Sequence, residues 1–93
     1  MLSNKQRQEL FALSNKLKTK YIIGKDNLTD KVFDMLDKAL IANELIKISI
    51  NKNAGGEVES LAAIICKRLS CELIKIIGKT IVVYRPSPKR AVN

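Results

Sequence analysis

Two β-rich runs, Leu73 to Ile77 and Thr80 to Arg85, are separated by Gly78-Lys79 alone. A two-residue connection between such runs is a hairpin turn. It commits the end of the chain to an antiparallel pair. Pro86, which has no N–H to give to a ladder, ends the sheet.

The rest of the chain supplies what this hairpin packs against. Ser3 followed by Gln6 is a capping-box pattern, and Leu10, Leu13 and Leu17 recur at helical spacing. They predict a first helix from Asn4 to about Lys18, with Lys16, Lys18 and Lys20 at its negative end. Tyr21-Ile22-Ile23 is a short strand stopped by Gly24. Thr29 caps a second helix with Asp30 in its first turn; Val32, Phe33, Leu36, Ala39 and Leu40 form its apolar stripe. Asp34 and Lys38 make an i,i+4 pair on its outer face. From Glu44 to Asn51 the chain alternates, with Ile46, Ile48 and Ile50 facing one way: a half-buried strand. After the loop Lys52 to Gly56, a third helix runs from Glu57 to Leu69, with Val58, Leu61, Ala62, Ile65 and Leu69 inward.

The order is helix, strand, helix, strand, helix, strand, strand. Helices between strands favour parallel crossovers, and the hairpin adds an antiparallel pair. The expectation is a single α/β domain over residues 1–86, of the two-layer α+β kind, with a mixed four-stranded sheet. Residues 87–93 form a short basic tail expected to fray.

Seventeen Lys and Arg against nine Asp and Glu give a net charge of +8, the upper edge of the ordinary range for a small domain. Such a balance suits a polyanionic partner. There is no histidine, so the commonest general base and metal ligand is missing. Asp30, Asp34 and Asp37 read as a solvated helix face. Cys66 and Cys71 lie five apart, not at the spacing of a CxxC redox or zinc pair, and read as reduced, mostly buried thiols. No Walker loop, GxGxxG or GxSxG occurs. These features point away from an enzyme, a cofactor and a metal. The N-terminus carries charges where a signal peptide would be apolar, and no run approaches membrane-span length. A cytoplasmic monomer is expected.

The strongest candidate for binding is the strand-to-helix loop Gly24-Lys25-Asp26-Asn27. Glycine permits a sharp turn and close approach to a ligand. The loop feeds a helix N-terminus, where unpaired N–H groups and the dipole favour phosphate. Lys25 adds charge, and Asn27 supports left-handed backbone. Asp26 and Asp30 oppose an anion, but Lys16, Lys18, Lys20 and Lys25 outnumber them. The alternative reading of this loop is an ordinary turn with a Thr-Asp cap. A second surface is the outer sheet face, where Lys47, Lys75 and Tyr84 could lie together, with few aromatics for a stacking platform.

Four stretches, in order, resemble the CRM domain of the bacterial YhbY-type proteins. They are Leu2-Ser3-Asn4-Lys5-Gln6-Arg7, Leu17-Lys18 with Ile22 to Asp30, Ala39-Leu40 with Asn43 to Ile48, and Ile76 to Arg85. The resemblance covers residues 2 to 86. It implies a domain similar to the C-terminal domain of bacterial translation initiation factor three. It also implies an RNA-binding GxxG loop, analogous to the KH clamp, at Gly24, Lys25, Asp26 and Asn27. Asn27 stands where the family has its second glycine. Bacterial members associate with precursors of the large ribosomal subunit, which implies RNA and ribosomal proteins as partners.

The reading is therefore an RNA-binding protein that holds backbone phosphate with Gly24, Lys25, Asp26 and Asn27. Lys16, Lys18 and Lys20 supply charge, and Arg7 extends the patch along the first helix. The alternative is a protein-interaction module docking on a ribosomal or other acidic partner. A DNA reader is less well supported, since Lys67-Arg68 alone do not make a basic recognition helix.

Overall fold

The computed structural model describes residues 2–17, 20–23, 29–51 and 57–86. Within them lie α1 (Asn4–Ser14), β1 (Lys20–Ile23), α2 (Asp30–Asn43), β2 (Leu45–Ile50), α3 (Val58–Leu69), β3 (Glu72–Ile77) and β4 (Thr80–Tyr84). The α+β class, the element order and the mixed four-stranded sheet are those expected. The tail 87–93 lies outside the described residues.

The sheet order is β1-β2-β4-β3. The β1–β2 pair is parallel, and β4 is antiparallel to both β2 and β3. The last strand is thus central. The connection through α3 skips one strand position, and the hairpin fills it. At the turn Gly78 has φ +58°, and Lys79 is not among the residues of positive φ. That is the pattern of a II′ turn, with glycine first. Open space surrounds the position where a Cβ would stand. Replacing Gly78 with alanine should therefore cost only the strain of a side chain at positive φ, about 1–3 kcal/mol, read from a chemical denaturation midpoint.

Alternation along the strands divides the core. Ile23, Ile46, Ile48, Ile50, Ile81 and Val83 face α2 and α3, burying Phe33, Leu36, Leu40, Leu61, Ile65 and Leu69. On the opposite face Leu45, Ile74 and Val82 pack against Leu2, Leu10, Phe11, Leu17 and Tyr84. The sheet carries α2 and α3 as one layer, and α1 covers part of its other face. An irregularity between Leu73 and Lys75 makes this possible: Leu73 pairs with Val83 and Lys75 with Val82. The extra residue puts Ile74 against α1 although its neighbour Lys75 also lies over the Phe11 ring.

The first helix is shorter than its leucine spacing predicts. It stops at Ser14 because the chain tightens into i→i+3 bonds: Asn15 N–H to Ala12, Lys16 N–H to Leu13 and Leu17 N–H to Ser14. The buried Ser14 hydroxyl donates to the Phe11 carbonyl at 2.6 Å. Leu17 still reaches the core, but from the turn, and Lys16 lies beyond the helix.

Candidate nucleic-acid interface

The parallel strands end side by side. Asn51 N–H donates to the Ile23 carbonyl at 2.7 Å, and Ile50 N–H donates to the Lys79 carbonyl at 2.7 Å. The end of β1, the end of β2 and the hairpin turn therefore share one edge of the sheet. Residues 24–28 follow β1 in the chain. Gly24, Lys25, Asp26, Asn27 and also Lys18 lie outside the described residues.

Beyond residues 24–28 the chain re-enters at Thr29, whose side chain accepts from Val32 N–H at 3.3 Å and caps α2. The C-terminal end of α3 meets this first turn. The Arg68 guanidinium donates to the Asp30 carboxylate and lies 4.6 Å from the Phe33 ring centroid. Asp30, which opposes an anion by charge, is thus offset by a cation from another helix. Lys31 beside it is exposed.

Of the four lysines, Lys16 and the backbone of Lys20 lie within the described residues. Lys20 begins β1, whereas Gly24 to Asn27 follow its end. The four residues of β1 span roughly 13 Å. The register runs Lys20–Lys47–Val82–Lys75 straight across the sheet. Lys47 and Lys75 do share a face. Tyr84 lies on that face too, half-buried against the cluster of Leu45, Ile74 and Val82 that α1 also packs on.

The next row toward the edge is Ile22–Ser49–Thr80–Ile77. No side chain of α1 joins these residues in a core cluster, and Ile22 is 68% exposed and Ile77 48%. Among the described residues, this uncovered part of the sheet is apolar at both margins, polar between them, and bordered by Lys47, Lys75 and Lys79. Periodicity missed this because it needs the strand order: Ile22 and Ile77 lie far apart in sequence and join one row only through β2 and β4.

Arg7 has a different setting from the other cations. Its guanidinium donates to the Leu73 carbonyl and to the Glu72 carboxylate, the latter at 2.9 Å. It ties α1 to β3, and Glu72 offsets its charge. Among the described residues no group of three or more His, Cys, Asp or Glu could hold a metal ion, and no helix is long and apolar enough to cross a membrane.

The chain matches the CRS1 / YhbY (CRM) domain model over residues 2–85. It is 32% identical over 87 residues to the Probable RNA-binding protein YqeI of Bacillus subtilis, covering 94% of this chain and 91% of that protein. It is 30% identical over 92 residues to the Probable RNA-binding protein PA4753 of Pseudomonas aeruginosa, covering 99% and 88%. The solution structure of the hypothetical protein SAV1595 from Staphylococcus aureus superposes with a TM-score of 0.78 at 31% identity, covering 94% of this chain and 91% of that one.

Proposed function

The chain belongs to the CRS1 / YhbY (CRM) domain family, and from that premise we propose that it binds structured RNA without catalysing a reaction on it. The observation that carries this reading is the near full-length similarity to relatives named as RNA-binding proteins. The net charge of +8 supports it independently. In the proposed mode, Gly24, Lys25, Asp26 and Asn27 and the start of α2 hold backbone phosphate. Lys16, Lys18 and Lys20 act at the other end of β1. Arg7, paired with Glu72, chiefly holds α1 in place and adds little net charge.

Phosphate contacts position a protein on RNA and carry little sequence information. Selectivity in this reading comes from RNA shape. The proposed target is ribosomal RNA of large-subunit precursors in the cytoplasm, and the proposed role is in assembly of that subunit, alongside ribosomal proteins.

Titration of large-subunit ribosomal RNA fragments, with duplex DNA as control, tests the reading. Lys25→Glu should weaken RNA binding about tenfold or more, the loss expected when one phosphate contact becomes a repulsion, while leaving the melting temperature near the parent's. Equal affinity for DNA would remove the RNA preference. An unchanged affinity in Lys25→Glu would remove the loop.

A further inference from the structure

Five positions apart, Cys66 and Cys71 would point away from one another on a continuous helix. The helix is not continuous. Ser70 adopts the left-handed conformation at φ 54°, ψ 43°, and both its N–H and that of Cys71 return to the Cys66 carbonyl, the latter at 3.0 Å. This is a Schellman-type ending, in which the residue two past the helix is folded back over the last turn, side chain against side chain. In most proteins that contact is made by two apolar residues. Here both of those positions are thiols. Both are free, and both are partly exposed while packed against the main core.

We propose that Cys66 and Cys71 are a peroxide-reactive dithiol that closes to an intramolecular disulfide in the folded protein. Little movement is needed, because the backbone bond already fixes the two residues together and disulfide formation requires such proximity. The roles are unequal. The hydrogen bond from Cys71 pushes the Cys66 thiol down, against burial and the Glu72 carboxylate. Cys71 is pushed up by that same bond and by burial. Cys66 is the attacking sulfur and Cys71 the resolving one.

In the first step the Cys66 sulfur attacks one oxygen of hydrogen peroxide. The S–O bond forms, the O–O bond breaks, and the departing hydroxide takes the thiol proton to leave as water. Cys66 is now a sulfenic acid. The Cys71 sulfur then attacks the Cys66 sulfur, the S–O bond breaks, and the hydroxyl leaves with the Cys71 proton as a second water. Two thiols have lost two electrons to one peroxide.

This assignment is independent of the RNA reading. Stoichiometric hydrogen peroxide added to the purified chain should remove both free thiols and lower the monomer mass by about two daltons. Cys71→Ser should stop at a sulfenic acid that dimedone captures, and Cys66→Ser should stay reduced at the same dose. Closure should be slower in denaturant, where the helix ending no longer holds the pair. Circular dichroism establishes that each variant is folded. Survival of both thiols, oxidation to sulfinic acid without closure, linkage only between molecules, or closure as fast in denaturant as in buffer would each overturn the assignment.

Discussion

Replacing Arg85 with alanine should lower the thermal midpoint by roughly 10–20 °C, from a loss of about 2–3 kcal/mol. Arg85 follows the last residue of β4 and is only 17% exposed in its side chain. Its guanidinium donates to the Leu69 carbonyl at 2.8 Å and to the Asp37 carbonyl at 3.1 Å, and pairs with the Asp37 carboxylate at 2.7 Å. Its own N–H donates to the Glu44 carbonyl at 2.9 Å. One side chain thus joins the end of the sheet to both core helices. It also satisfies a carbonyl at the end of α3, which the helix itself leaves without a donor. Alanine would leave the Leu69 and Asp37 carbonyls without their donor, while the Asp37 carboxylate, 42% exposed, would turn to water. Lysine keeps the charge but offers one point donor in place of a fork, so Arg85→Lys should recover less than half of the loss. A calorimetric scan of the three proteins measures this. A fall below about 3 °C for alanine would mean that water replaces the guanidinium at little cost.

The second large effect is on binding. If about six phosphates are neutralised, affinity for a ribosomal RNA fragment should fall on the order of a thousandfold between 50 and 200 mM salt. Replacing Lys16, Lys18, Lys20 or Lys25 with alanine should reduce the slope of log affinity on log salt by about one each. Replacing Arg7 should change it less, since Glu72 already offsets that charge. Fluorescence anisotropy across a salt series measures all five. A slope near zero would assign the affinity to base contacts or to a protein partner, and would move the protein-docking reading to first place.

These expectations rest on features that differ in how far periodicity reveals them. The stripe of α2 and the alternation of β2 are direct, because each burial pattern repeats within one element. The Thr29 cap, the Asp34–Lys38 pair at 3.3 Å and the Gly78 turn are likewise local. What is not local was not legible. The leucine spacing of α1 continues through Leu17, but tertiary packing, not propensity, decides where that helix ends. The apolar letters of β3 allow either face for Ile74, and the bulge that settles it depends on β4. The cysteines read as inert because their spacing is not that of a CxxC pair and the chain has no histidine to activate them, whereas one left-handed residue turns the second back toward the first. Of the candidate interface, the sequence alone supplied the loop and the lysines. The open row ending in Ile22 and Ile77, and the Arg68 contact to Asp30, required strand order and helix crossing.

The central place of β4 has a consequence for synthesis. The first three strands emerge from the ribosome with no strand between β2 and β3. Until β4 follows, β2 has only β1 as a neighbour, and Ile48 and Ile74 lack half of their surroundings. The nascent domain would wait as helices and one parallel pair, and close in a single late step when the final strand inserts. Parallel pairs close long loops and form slowly. A chain stalled before Thr80 should therefore be readily digested by protease, whereas one carried past Arg85 should resist.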